Sequence, residues 1–363
     1  MKDKETTSPW PRDLRKGLIS CKSLYNKALI GKDILQKEKD IEKELNIRVP
    51  ASFLHNQLIE HPPIANQVIP SQAELINNIL EEADPIGDET FSPFEGITHR
   101  YQDRILLKLT YLCAMYCRFC FRKNKVSHNG DIFSEELLSK VRKHVEAHPK
   151  VQEIILTGGD PLTMTDRKIR KVTQLVSSLP QIKRLRFHTR IPTALPSRIT
   201  PDLIKLLKSS SARTWVVVHI NSAAELSYET TRAISQLVDN GIQVLSQSVL
   251  LKGINTQGNS LEDLLIKLVN LGVKPYYLHY PDLAKGTNHF RIPLEKAKKL
   301  VLSLRGHVPG YAIPDLIIDI PGGHGKISAL GPRAKQVGPN QWEFTSPLTE
   351  KTHFVTYPDT INE

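Results

Sequence analysis

The sequence predicts an α/β protein: a partial (β/α)6 TIM-like barrel with a mainly helical N-terminal extension and a C-terminal segment. Three observations carry this. From about Ile105, short β-branched runs alternate with amphipathic stretches, the texture of strands joined by helical crossovers. Several of those runs are almost uninterrupted in apolar residues, as strands buried on both faces of a parallel sheet must be. The residues able to do chemistry fall at the ends of the runs, where parallel α/β folds place their sites.

Taken in order, residues 1–95 read as a polar, helical extension, with an amphipathic pattern over Asp33–Leu45 and breaks at Pro62-Pro63, Pro70 and Pro85. Such a segment suits a cap or a docking element. Residues 96–310 carry the barrel. Its expected strands are Ile105–Tyr111, Glu153–Thr157, Arg184–Thr189, Thr214–Ile220, Gln243–Val249 and Lys274–Tyr280. Helices are expected between them at Ser134–Ala147, Asp166–Ser178, Pro201–Ser209, Ala223–Asn240 and Leu261–Leu271. The C-terminal segment, 311–363, holds a Gly-rich stretch, Asp319-Ile320-Pro321-Gly322-Gly323-His324-Gly325-Lys326.

Composition bounds the function. With 363 residues, 40% hydrophobic and 24% charged, the chain is long enough for one large barrel and ordinary for a soluble protein. No run approaches the roughly 18 apolar residues of a membrane span. The start, Met1-Lys2-Asp3-Lys4-Glu5, lacks a secretory signal's apolar stretch, so a cytoplasmic location with no membrane partner is expected. The 49 basic and 38 acidic residues leave a net charge of +11. The basic residues in Lys37–Lys43, Arg167–Lys171 and Lys296–Lys299 mix with apolar positions, which marks solvated helix faces rather than a nucleic-acid surface. A charge-selected macromolecular partner is the competing reading.

Three of the four cysteines fall within one short loop after the first strand, Cys113-Ala114-Met115-Tyr116-Cys117-Arg118-Phe119-Cys120. Crowding of this kind, without a secretion signal, argues for a metal or redox site over a disulfide framework. Thiolates at this spacing can wrap an iron–sulfur cluster, and three of them leave one iron of a [4Fe–4S] cube open to a small molecule. Zinc wants four ligands, and only His128, in a polar turn, offers a nearby fourth. Cys21 stands alone in the extension and reads as inert. Further along the rim come Gly158-Gly159-Asp160, His188, Arg190, His219, Gln247 and Asp282, each at or just past a strand end. Lys326, on its Gly-rich loop, can form a Schiff base if its pKa falls. An exposed loop lysine is the alternative.

With Phe119 before its last cysteine, the loop resembles that of the radical S-adenosylmethionine superfamily. Gly158-Gly159-Asp160-Pro161 resembles the superfamily's Gly-Gly-Glu-type motif for the adenosylmethionine amino group. From about Pro70 to Thr356 the chain resembles the lysine 2,3-aminomutase family. The resemblance runs through His99-Arg100-Tyr101-Gln102-Asp103-Arg104, the cysteine loop, Gln247-Ser248-Val249-Leu250-Leu251, Pro275-Tyr276-Tyr277, His289-Phe290-Arg291, Leu304-Arg305-Gly306-His307 and Pro321-Gly322-Gly323.

This resemblance implies three cofactors. Cys113, Cys117 and Cys120 would hold a [4Fe–4S] cluster. Gly158, Gly159, Asp160, His219 and Gln247 would hold S-adenosyl-L-methionine. Lys326 would carry pyridoxal 5′-phosphate, embraced by Arg100, Tyr101 and Arg104, the arginines suiting its phosphate. Arg122 matches the family arginine for the substrate carboxylate, and Asp282 with Asp319 the pair that holds the distant ammonium of L-lysine. Two converging carboxylates select a cationic side chain and reject glutamate. The activity implied is an isomerase that makes β-lysine by radical amino migration, fed by a reductant such as flavodoxin or ferredoxin.

The resemblance departs in places. The chain is shorter than the free-lysine enzymes and lacks their structural-zinc cysteines, Gln257 standing near one of them, so a zinc-tied assembly is not expected, though a homo-oligomer is compatible. Ser246 stands before Gln247 where relatives usually have asparagine. Length and Arg48-Val49-Pro50-Ala51-Ser52-Phe53 lean toward the branch supplying (R)-β-lysine for elongation factor P. Asp282, Asp319 and the Pro-Gly-Gly-His-Gly-Lys tail lean toward the free-amino-acid enzymes. A radical adenosylmethionine enzyme that modifies tRNA or protein, with Lys326 merely structural, is the reading from another class.

Overall fold

The structure, a computed structural model, describes residues 9–54, 60–76 and 78–358. Its main sheet has nine strands in chain order: β1 (Ile97–Tyr101), β2 (Arg104–Thr110), β3 (Glu153–Gly158), β4 (Arg184–Thr189), β5 (Arg213–His219), β6 (Gln243–Val249), β7 (Lys274–His279), β8 (Asp315–Asp319) and β9 (Lys326–Ser328). Neighbours from β2 to β8 pair in parallel, while β1 and β9 add antiparallel edges. The order is linear, with β1 and β9 at opposite edges, so the barrel is open. A second sheet of β10 (Ala334–Gly338), β11 (Gln341–Thr345) and β12 (Thr352–Thr356) is antiparallel.

All six expected strands are present, and β4 and β6 have the expected bounds. The parallel series continues one strand further, into β8. Its five residues, Asp-Leu-Ile-Ile-Asp, are too short a run to be separated from loop by periodicity. The stretch expected as one helix over Ala223–Asn240 divides into a turn at Ala223–Glu225 and a helix at Tyr228–Asp239. Two serines cause the division: Ser222 Oγ accepts from Ala224 N–H and Ser227 Oγ from Thr230 N–H, so each starts its own element. The pattern over Asp33–Leu45 likewise divides at Lys37 into Lys32–Gln36 and Glu38–Glu44.

Packing joins the extension to the barrel. Ile41, Ile47, Val49, Phe53 and Ile64 are buried in the same cluster as Leu107, Leu109, Ile154, Leu156 and Val216. Each such side chain contributes roughly 1.5–3 kcal/mol by leaving water. At the other end Trp342 and Phe344 of the small sheet pack against Leu316 and Ile318 of β8, which fixes the strand that precedes the Gly-rich loop. No described helix is long and apolar enough to cross a membrane.

Candidate functional site

The loop after β2 brings Cys113, Cys117 and Cys120 together as free thiols, each partly exposed. Its local fold is set by its neighbours. Ala114 and Met115 are buried in the main core, and Phe119 packs with Leu251, Ile254 and Phe290. Arg118 is fully buried. It reaches back to the extension, where Nε donates to both Glu74 carboxylate oxygens at 3.0 Å and Nη2 to Oε2 at 2.6 Å. Backbone N–H groups of Tyr116 and Arg118 donate to Arg48 O and Gln67 O. The N-terminal segment thus clamps the cysteine loop, an arrangement no local pattern announced. Burial pushes the Cys120 thiol up to about 11 and Cys113 well above the ordinary range, while Arg190 Nη1 lies 3.2 Å from Cys117 Sγ. Such thiols ionise only with a cation at hand, and a metal cluster supplies that charge.

Gly158 and Gly159 end β3 against this loop. A Cβ on Gly159 would meet Leu112 O at 2.4 Å, and Gly159 N–H and Asp160 N–H donate to Thr110 O and Leu112 O. Only glycine allows that approach. The Asp160 carboxylate is turned inward: it accepts from Thr189 Oγ1, Arg190 N–H and Leu162 N–H, and burial raises it to about 6. Its side chain therefore builds the rim, and the strand-end backbone beside it is left to meet a ligand. Across the sheet, His219 pairs in register with Gln247, and Gln247 with Tyr277. His219 Nε2 lies 3.2 Å from Asn221 Oδ1, with burial lowering the imidazole to about 3. His188 Nε2 is buried without a hydrogen-bond partner among the described residues. Such an orphan on a rim is an opening for a ligand atom.

The second half of the site is a hairpin. Asp319 and Lys326 face each other across the β8–β9 pair, joined by the Gly-rich loop, and the Lys326 ammonium is hydrogen-bonded to Asp319 Oδ2. Gly322 and Gly323 turn at φ +78° and +84°, where Gly323 lets the Phe91 ring sit 2.6 Å from where a Cβ would be. Arg100 Nη1 donates to Asp319 Oδ1 at 2.9 Å, and the Tyr101 hydroxyl accepts from Lys326 N–H at 3.0 Å. The Arg104 guanidinium lies over the Tyr101 ring at 3.9 Å. Burial, with Arg100 and Arg122 nearby, lowers the Lys326 amine to about 8 against the pull of Asp282. Burial also raises Asp282 to about 6, opposed by Lys326, Arg291, Arg122 and Arg100. Asp282 and Asp319 line one small pocket with Pro85, Tyr280, Pro321 and Tyr357.

One residue that sequence reasoning missed joins the halves. Asp88, buried in the loop before β1, accepts from Arg122 Nε at 2.7 Å and lies 3.8 Å from Arg100 and from Lys108. Burial alone would raise its carboxyl, but these three cations hold it at about 2. Asp88 sits in no periodic segment, and only tertiary structure shows its partners. The structure thus brings Arg100, Arg122, Asp319 and Lys326 into one charged chain, with the cysteine loop at the other side of Arg122.

Comparison with known proteins agrees with this arrangement. Residues 107–265 match the Radical SAM superfamily model. The chain is 38% identical over 268 residues to the L-lysine 2,3-aminomutase of Clostridium subterminale, covering 74% of this chain and 64% of that one. It thus spans a little under two thirds of that relative's length. The L-lysine 2,3-aminomutase of Buchnera aphidicola is 36% identical over 80% of this chain and 86% of its own. That of Escherichia coli (strain K12) is 34% identical over 78% and 83%. With identity of this order over most of two full relatives, and the cysteine loop and Gly-rich lysine hairpin on one rim, the chain belongs to the lysine 2,3-aminomutase family of the radical SAM superfamily.

Proposed function

We propose that the chain is a radical S-adenosylmethionine, pyridoxal-phosphate-dependent isomerase that converts L-lysine to β-lysine. The observation that carries the substrate is the setting of the Lys326 ammonium. Asp319 holds it directly and Asp282 attracts it, so the two carboxylates already act on the side-chain charge of a lysine. Once Lys326 is engaged by a cofactor, Asp282 and the Asp319 oxygen that the lysine leaves are open to an external ammonium, while Asp319 Oδ1 stays on Arg100.

The residues fit the implied groups. Three thiols without a fourth ligand suit a [4Fe–4S] cluster with one open iron, and Arg190 beside Cys117 suits its negative charge. The strand-end backbone at Gly158–Asp160, with His219 and Gln247 across the rim, would hold S-adenosyl-L-methionine. A lysine amine at about 8, with Arg100 near it and the Tyr101 hydroxyl on its backbone N–H, suits an aldehyde cofactor bearing a phosphate, for which Arg104, now on Asp103 and over the Tyr101 ring, would have to turn. When bound, the cluster and adenosylmethionine supply one-electron generation of a carbon radical, and pyridoxal phosphate supplies a conjugated system across which an amino group can migrate.

The chain's own contribution is placement. Arg122, whose Nη1 also donates to Thr157 Oγ1 at 3.3 Å, would turn from Asp88 to the substrate carboxylate. Asp282 and Asp319 would fix the far ammonium, and buried Arg291, bonded to Glu81 and to Asp282 O, fixes the Asp282 backbone.

The test is anaerobic reconstitution with iron, sulfide, S-adenosylmethionine, dithionite, pyridoxal phosphate and L-lysine, with chiral separation of the product. β-Lysine is expected, with (S)-product assigning a free-amino-acid role and (R)-product a supply for elongation factor P. Adenosylmethionine cleavage without β-lysine would overturn the assignment in favour of a tRNA or protein substrate.

A further inference from the structure

Away from the rim, three histidines meet. His99 lies on β1, His144 in the last turn of the helix Glu135–Glu146, and His148 just beyond it. One ring nitrogen from each lies within 4.8 Å of the other two, and His99 Nδ1 stands 3.0 Å from His144 Nε2. The rings pack closely, with centroids at 4.2 Å for His144 and His148, 4.8 Å for His99 and His148, and 5.1 Å for His99 and His144. His99 and Arg100 are adjacent on one strand, so their side chains leave opposite faces. Arg100 enters the site described above, and His99 faces the helix. The mechanism uses none of the three.

We propose that His99, His144 and His148 form a binding site for a divalent transition-metal ion, zinc foremost. Imidazole nitrogens are the ligands such ions prefer, and three of them with an open fourth position are a recurrent zinc arrangement. Bonds of 2.0–2.1 Å in a tetrahedron put ligand nitrogens about 3.4 Å apart, close to the separation already present between His99 and His144. One proton lies between His99 Nδ1 and His144 Nε2, and an incoming metal ion would displace it. His148 Nδ1 donates to His144 O at 2.6 Å, which leaves its Nε2 lone pair free. His144 and His148 are one helical turn apart, so both rings emerge on one side. Among the described residues no carboxylate joins the three imidazoles in this group, and Phe94 packs edge-on against the His144 ring at 5.8 Å.

The electrostatics agree. The carbonyl end of the helix carries partial negative charge and favours a cation there. Burial, together with the neighbouring imidazoles, lowers His144 to about 4 and lowers His99 also. A single ion with two charges can serve all three rings. A bound ion would tie β1 to the helix end, one residue from Arg100.

The experiment uses the full chain with its iron–sulfur cluster reconstituted, equilibrated with buffered free zinc and freed of excess metal. Zinc and iron per chain are read by mass spectrometry, and the zinc ligands by X-ray absorption. The expected result is one zinc per chain above the iron, with a shell of nitrogen and oxygen at about 2.0–2.1 Å. His148→Ala should weaken zinc binding on the order of 100-fold, as loss of one of three protein ligands. His144→Ala/His148→Ala should abolish it, with iron content and far-ultraviolet dichroism unchanged in both. A wild-type chain that takes up no zinc at about 100 μM, zinc retained by the double variant, or sulfur in the zinc shell would overturn the proposal; the last would place the ion on the cysteine loop.

Discussion

Glu74→Gln is the substitution that most sharply separates a structural clamp from a passive neighbour of the cysteine loop. Arg118 and Glu74 are each 1% exposed at the side chain, and three of the five guanidinium hydrogen bonds end on this carboxylate. The buried Lys123 amine, with no hydrogen-bond partner among the described residues, also draws on the charge of Glu74. Removing that charge leaves Arg118 with two backbone carbonyls and Lys123 with the smaller pull of Glu44, and breaking a buried pair from one side costs about 3–5 kcal/mol. At roughly 2.1 cal/mol/K per residue, 363 residues give an unfolding entropy near 0.76 kcal/mol/K, so Tm should fall by about 4–7 °C. Calorimetry of the apo chain reads this. Iron retained after anaerobic reconstitution reads the local effect on the thiols and should fall as well. Glu74→Leu/Arg118→Met, which removes both charges, should recover most of the loss. A Tm within 1 °C of wild type together with full iron would refute the clamp.

Further outcomes follow from the charged chain around Lys326. The rate of pyridoxal phosphate loading, followed as visible absorbance that borohydride abolishes, should rise with pH through about 8. An amine at that value is roughly one-tenth neutral at pH 7, against about one part in 3,000 for an ordinary lysine; a rise centred near 10.5 would contradict the burial argument. Asp319→Asn should raise KM for L-lysine by about 10–100-fold with a smaller change in kcat, since it removes half of the carboxylate pair. An unchanged KM would remove Asp319 from the pocket. The Asp88 carboxyl is depressed from 3.8 to about 2 in the folded chain, so its contribution is present above about pH 4 and is lost as pH falls toward 2. That contribution is about 2 kcal/mol. Denaturant unfolding at pH 6 and 2.5 should show a smaller loss for Asp88→Asn than for wild type.

Legibility tracked how local each signal was. The parallel strands could be read because their apolar runs are long and bounded, as in Arg213–His219, and the cysteine loop because its ligands are neighbours in sequence. The pairing of Asp319 with Lys326 lay half in view: the Gly-rich loop between them was plain, but their cross-strand register depends on β8 and β9, each too short to signal itself. Asp88, Glu74 and Glu225 were invisible for another reason. None of them belongs to a motif in the sequence, and each takes its meaning from an arginine more than thirty residues away: Arg122, Arg118 and Arg190 respectively. The Asp160 carboxylate taught the reverse lesson, since a motif position that suggests a ligand contact spends its side chain on Thr189 and the Arg190 amide. The three-histidine cluster was missed because His99 stands apart from His144 and His148 in sequence and no single motif contains all three.

The central claim is that one rim moves the α-amino group of lysine to the neighbouring carbon. Its most direct measurement supplies the reconstituted protein with L-lysine labelled with nitrogen-15 at the α-amino group, in unlabelled ammonium buffer, and locates the label by mass spectrometry and nuclear magnetic resonance. β-Lysine with the label retained and bonded to C3 is expected. Adenosylmethionine consumed with the label still on C2, or β-lysine formed with the label lost to the buffer, would contradict it.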